Sequence, residues 1–585
     1  MNMKTRFTTQ RPSQTGSALM LVLIMSAIAL AILAGVMTWA ATSTRLTHRS
    51  IQYTRSVAAA EAATEKVESQ ITRDFLSSGE PLVNLNLNTY RQIVPLSSDS
   101  SYWNTWEFND GNGNLNQTYV QRVPGTSYIV LDAPYTGLKG YVSTYTVVSH
   151  ARDTARLQDV TAGVLQQLQL AGIPIFQFSM YSSGEMEVSC GQNFDVTGHV
   201  HSNGKLYVEP DNTLIFESGV TAVDGIFFHR DPLDGRGTPP GTPAGGVVYA
   251  QTNLVDPHVQ ALTLPIGTTN TPEAIREIIE PPPPGEDPKS ALGLLRYYNQ
   301  CDMRLVVSDT GVTATSGRFN NFSTQITNSE VALFVSTNNS FWDARESKTV
   351  LPIDIDIGSL KNWSETNSSL RPVLIAANLS SSYVMNSIYV VDTRTLPGTS
   401  LEAVRVWNGL QLPANGLTVA TGRPLYVWGD YNSDFATRRP ASLVADAITI
   451  LSDAWQDPNQ QSANLNGAAS TTVNAAILTG AVETTLNQYS GGMENFPRFL
   501  ETWTSIPFTY NGSMVKMFPS LYATNVWSGI HYLKTYYYPP VRIWAYDANF
   551  DDSTKLPPHT PQLQKVIRGQ WATVPPGTNA VATTP

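Results

Sequence analysis

Cysteine and charge are what this chain has least of: two Cys in 585 residues, and charged side chains at only 14% of positions. With Cys190 and Cys301 alone and no CxxC pair, neither a zinc ribbon nor a thioredoxin-type redox motif is present. Lys and Arg number 37 against 47 Asp and Glu, a net charge of −10. No basic cluster follows the amino-terminal region, which argues against a nucleic-acid or anionic-lipid surface. No GxSxG, HExxH, P-loop or Rossmann fingerprint occurs, so nothing commits the chain to catalysis. What is plentiful is Gly (40), Pro (37) and aromatic residues (10%). This is the profile of a β-rich extracytoplasmic protein with room for several domains.

One long hydrophobic run breaks the pattern. Residues 17–44 carry no charge, and Lys4, Arg6 and Arg11 precede them. Two dozen such residues span a bilayer core of about 30 Å as a helix. The basic leader places the amino terminus in the cytoplasm and the rest of the chain across the inner membrane, in the periplasm or at the cell surface. A cleaved signal peptide is the competing reading, with Thr38-Trp39-Ala40 as its cleavage site, but the apolar run is longer than such peptides use.

The run continues into a helix whose Val57, Ala60, Thr64, Val67, Ile71 and Phe75 fall at three- and four-residue intervals, one apolar seam for packing. The basic leader, Gly16 directly before the apolar run, and the alanine-rich segment 58–63 together resemble the amino terminus of type IV pilins, in particular PilX-type minor pilins and the K-type pseudopilin. That resemblance implies cleavage by a prepilin peptidase between Gly16 and Ser17, and partners that are other pilin-like subunits. Counting Ser17 as the first mature residue, the fifth is Leu21, where most pilins carry glutamate. The departure suits a minor or tip position better than the shaft, since an unpaired terminal amine in lipid is costly; a plain signal-anchored protein is the alternative it leaves open. The strings at 415–432 and 441–455 also resemble those of large pilin-like proteins of environmental bacteria.

The expected fold is therefore mainly β with a long N-terminal α-helix: a pilin-like α+β segment followed by a β-solenoid domain of the right-handed β-helix kind. The divisions are a leader at 1–16, a transmembrane and periplasmic helix at 17–79, and a small α+β head at 80–170. A solenoid follows at 171–487, since its short, evenly spaced strands suit stacked coils, although no fixed repeat length is evident and an irregular β-rich domain is the alternative. Within it, the Pro/Gly-rich stretch 231–299 is expected to project as an extended insertion. Residues 488–556 form an aromatic cap over the open end of the solenoid, and 557–585 a disordered tail.

Candidate chemistry is sparse. His199 and His201 alternate on a strand and face one way, as metal ligands do, with His229 the nearest third candidate; a hydrogen-bonded pair is the plainer alternative. Asp430, Asn432 and Asp434 resemble the opening of a calcium loop, as do the runs from Asp110 and Asp547, but none has the glycine or glutamate that an EF-type loop requires. Cofactors are expected to be none, with calcium the weak exception. Asp354 and Asp356 share a strand face, an arrangement that glycosidases use and solvated strands also show. Cys190 and Cys301 are either a disulfide or two buried thiols. The expected role is a non-catalytic, membrane-anchored envelope protein in filament assembly, adhesion or secretion. Its head would meet a surface polysaccharide or protein but no nucleic acid. The alternative is an anchored solenoid that binds or degrades polysaccharide. A groove lined by Asn, Ser and aromatic residues would favour binding; several carboxylates beside a Lys or Arg would favour an enzyme.

Overall fold

The computed structural model describes residues 17–156, 159–235, 245–317, 324–366, 383–457, 465–529 and 536–579. The leader 1–16, with Gly16, lies outside them. Ser17 opens a helix, Ser17–Leu85, the single described helix long and apolar enough for one membrane-spanning or signal segment. Residues 17–51 are exposed along it. From Ser56 one face is buried: Ala59, Ala60, Ala63, Thr64, Val67, Ile71 and Phe75. The small residues of this stripe leave no bulk between helix and sheet. The expected stop near residue 79 is a kink rather than an end. Gly79 adopts φ 74°, a conformation that costs an L-residue dearly, and the chain resumes as helix through Pro81 to Leu85.

The helix packs on an antiparallel sheet ordered Trp106–Asn109, Lys139–Asp153, Thr161–Pro174 and Gln562–Val574, with Tyr119–Arg122 and Ser127–Val130 also pairing to the second strand. Val67, Ile71 and Phe75 meet Val120, Tyr145, Val147 and Leu168 in one buried cluster. The fourth strand corrects an expectation. Residues 562–574, placed in a disordered tail, pair with Gly163 to Pro174 of Thr161–Pro174, whose outer edge would otherwise expose unpaired backbone groups. Arg568 then reaches the helix, 2.7 Å from Glu68 and 2.9 Å from Glu65.

The described residues between Pro174 and Gln562 form the body, whose strands stack mostly in parallel. Met186 pairs with Leu206, Phe194 with Leu214 and Val200 with Val220, so one 20-residue step recurs on three faces. A third layer adds Ile226, Val247 and Val255. A fixed step is thus present where none was evident from the sequence. The third face joins a 12-stranded sheet. Its parallel strands include, in spatial order, Val255–Asp256, Val220–Ala222, His199–Ser202, Phe178–Ser182, Met514–Pro519, Ala476–Ala481, Ala441–Ala445, Leu417–Thr421, Ser387–Asp392 and Met303–Ser308. The chain therefore works outward from Phe178–Ser182, crosses to the far edge, and works back until Met514–Pro519 closes against its starting strand. A second sheet of ten strands shares the interior, which holds Ile353, Val404, Leu425, Ile450, Val473 and Phe508.

Two further expectations change. The stretch 231–299 does not simply project. Residues 236–244 lie outside the described residues, but Leu262, Leu264, Ile275, Ile278 and Ile279 are buried on the outer face of the large sheet against Tyr389, Val444, Leu478 and Val515. The apolar residues between the prolines decide this, because leaving them in water would cost about 1.5–3 kcal/mol each. Arg276 is buried there 2.8 Å from Asp446. The aromatic region 488–556 is not an end cap either. Phe499, Trp503, Phe508 and Tyr510 enter the main core, and Met514–Pro519 lies mid-sheet between Ala476–Ala481 and Phe178–Ser182. Large rings fill the seam where the two arms of the body meet.

Candidate binding cleft

A cleft of about 760 Å³ opens on the large sheet. Its floor is built by repetition. Asn386, Asn415 and Arg439 each stand just before one of three neighbouring parallel strands, Ser387–Asp392, Leu417–Thr421 and Ala441–Ala445. The opposite wall is the turn region after Val541–Tyr546, with Asp547, Asn549 and Lys555.

The loop between Leu425–Tyr431 and Ala441–Ala445 carries Phe435, Arg438 and Arg439 to the rim, and the Asx run explains how it is held. Asn432, buried at φ 55°, donates from Nδ2 to the carbonyls of Arg439 (2.7 Å) and Asn474 (2.9 Å), and its Oδ1 accepts from Arg439 N–H at 3.0 Å. Asn474 returns a bond from Nδ2 to the Asn432 carbonyl at 2.9 Å. Asp434 accepts from Gln411 at 2.7 Å, Thr437 at 2.9 Å and Ala436 N–H at 3.1 Å, and these bonds hold its carboxyl below the usual range. Asp430 accepts from Thr472 N–H at 2.7 Å. The three candidate calcium ligands thus spend side-chain oxygens on the loop and the segments beside it. Asn/Asp turns do this commonly.

Phe435 is 92% exposed at the mouth of the cleft. Arg438 is oriented by Asp547 at 2.9 Å. Arg439 is exposed and pairs with no carboxylate among the described residues. Lys555 stands 3.3 Å from Asn549 Oδ1 and 4.0 Å from Asp552. Asn386 Oδ1 is buried with no hydrogen-bond partner. In an acidic protein, this lining brings three cations, three amides and one ion-paired carboxylate to one concavity. It can offer charge and hydrogen bonds to a polar ligand, with an aromatic face beside them.

The other candidates are placed elsewhere. His201 is wholly enclosed, with Nδ1 2.8 Å from Thr221 Oγ1 and Nε2 2.9 Å from Asn203 Oδ1, and its ring stacks on Tyr181 at 5.5 Å. Burial pushes its pKa down to about 4. His199 packs against Gly137 and Gly219, and His229 lies beside Tyr207 at 5.5 Å. Among the described residues no group of three or more His, Cys, Asp or Glu is arranged to hold a metal. Asp354 is buried on Arg405, at 2.6 and 3.0 Å, while Asp356 accepts from Ser359 N–H at 2.9 Å and from Asn408 at 2.7 Å. Cys190 and Cys301 are two buried thiols not joined to each other. Cys190 lies in the interior core and Cys301 in the cluster on the outside of the large sheet. A layer of backbone separates them, so the disulfide option is set aside.

The cleft residues Asn386, Asn415, Phe435, Arg438, Arg439 and Lys555 went unnoticed in sequence. The available signal was a lone aromatic in a polar loop followed by adjacent arginines in a chain poor in charge.

No protein-family model matches the chain, and no curated protein matches it. Among solved structures it is similar to the competence-associated pilin ComZ from Thermus thermophilus, at 9% identity over 89% of this chain and 98% of that one, with a TM-score of 0.25. This is a weak likeness to a bacterial pilin, too distant to assign a subtype or to carry an argument.

Proposed function

We propose that the chain is a minor pilin or pseudopilin-like envelope protein, anchored with its amino terminus in the cytoplasm, that displays a non-catalytic binding body in filament assembly, adhesion or secretion. The observation that carries this reading is the placement of the body. It is inserted between two adjacent strands, Thr161–Pro174 and Gln562–Val574, of the sheet that backs the exported helix. Such an insertion fixes a large head to the anchor through paired strands rather than a tether. The pilin-like leader and the alanine-rich seam support the family side of the reading. We take the stacked body as a β-solenoid folded into two arms, on the strength of its 20-residue step. Its partners are the inner membrane, other pilin-like subunits and prepilin peptidase. Binding rather than hydrolysis is favoured by the cleft lining, whose one carboxylate, Asp547, is committed to Arg438.

Amino-terminal mass spectrometry of the membrane-fraction protein, with and without prepilin peptidase, tests the assignment. A mature start at Ser17 only when the peptidase is present is expected. An intact Met1, or a start near Ala41 in both strains, would sink it.

A further inference from the structure

We infer that the cleft binds an acidic oligosaccharide, a sugar chain bearing carboxylates; this deepens the display role proposed above and rests on it. Three features converge. The first is charge: Arg439 has no carboxylate partner among the described residues, Lys555 has only Asp552 at 4.0 Å, and Arg438 is pre-oriented by Asp547. Arginine beside an open cavity offers a carboxylate a forked pair of hydrogen bonds.

The second is amide chemistry. Asn386, Asn415 and Asn549 line the cleft beside the cations, and an amide side chain both donates and accepts. Such a lining suits an anion that also carries hydroxyl groups, which can answer both kinds of bond.

The third is Phe435, whose ring stands 92% exposed at the mouth, presenting an apolar plane to the C–H face of a sugar ring. An acidic peptide is the other ligand with both anions and donors. Strand addition at an open sheet edge is one way an extended peptide binds. Ser387–Asp392, Leu417–Thr421 and Ala441–Ala445 are interior strands paired on both sides, so the cleft floor offers no such edge. A volume of about 760 Å³ falls within the range of ligand sites and admits a short run of sugar rings.

The test is calorimetric titration of the detergent-solubilised full chain with oligogalacturonate and oligomannuronate, with a neutral cello-oligosaccharide and a poly-glutamate peptide as comparators. Saturable binding of at least one acidic sugar is expected, falling as salt rises. Arg439→Ala and Phe435→Ala should each weaken it about tenfold while leaving the thermal midpoint unchanged, since both side chains are exposed. The inference is overturned if neither acidic sugar binds, if the neutral sugar or the peptide binds as tightly, or if both variants bind like the parent. Normal processing at Ser17 without sugar binding removes this inference alone. Sugar binding by a chain that is never processed removes the filament assignment and leaves the cleft.

Discussion

Gln562 lies directly opposite Pro174 in the antiparallel pair that joins the two ends of the body, and Ile175 N–H donates to the Pro561 carbonyl at 3.0 Å beside it. The body leaves and re-enters the helix-backed sheet at one point. Ending the chain after Pro561 would strip the cover from Thr161–Pro174 and the Arg568 partner from Glu68. We expect the truncated protein to be cut by protease within 139–174 under conditions that leave the full chain intact.

Arg405 is fully buried between two carboxylates, 2.6 Å from Asp354 and 2.6 Å from Asp457, with Phe341 and Trp428 over its guanidinium at 5.1 and 4.9 Å. Removing one member of such a set strands the others in a poorly solvated site, at a cost of about 3–5 kcal/mol. Arg405→Ala should lower the denaturation midpoint accordingly. Arg405→Lys should recover only part, because a lysine cannot fork to two carboxylates.

Burial pushes the carboxyls of Glu187 and Glu501 up to about 7. Glu187 accepts from Thr484 while its Oε2 has no partner, and Glu501 accepts from Ser452 N–H and Oγ, both at 2.7 Å. Each acid binds its proton more tightly folded than unfolded. Their contribution is full below the ordinary value of 4.5 and is lost as pH rises through about 7. His201 acts in the opposite sense: its contribution is full above 6.5 and is lost as pH falls through about 4. Thermal midpoints across pH 4.5–7 should therefore decline less in Glu501→Gln and more steeply in His201→Phe than in the parent. Parallel profiles for all three would contradict the burial of these groups.

The Cys190 thiol is pushed up to about 12 by burial, so almost none of it is thiolate at neutral pH. Native protein prepared without reductant should release little colour with a thiol reagent. After unfolding it should titrate two thiols per chain, matching Cys190 and Cys301. A count of zero would mean the pair had bonded.

Legibility followed locality. The helix seam at Ala60, Thr64, Val67, Ile71 and Phe75 is buried in the structure, since helical spacing is written in neighbouring residues. Most short body strands were also visible from their alternation and turns. The 20-residue step was readable at Met186/Leu206, Phe194/Leu214 and Val200/Val220, but the third layer stretches to Val247 and Val255 and hides the period. The pairing of Met514 with Met180 left no local trace, and neither did the burial of Leu262 and Ile278 under a proline-rich stretch. For the cleft, the Asx run at Asp430, Asn432 and Asp434 lies in the loop that carries the rim residues. Its oxygens shape the turn, and the groups presented outward are Phe435, Arg438 and Arg439.

The closure of Met514–Pro519 on Phe178–Ser182 sets an order of events during synthesis. As the chain is made from its amino terminus, the strand at 178–182 appears early and waits with one edge bare until nearly all of the body has followed. Contacts between such distant segments form slowly, and a bare edge recruits other strands meanwhile. Folding thus ends at the middle of the molecule, and a chain stalled before residue 514 is a half-body with an adhesive strand edge.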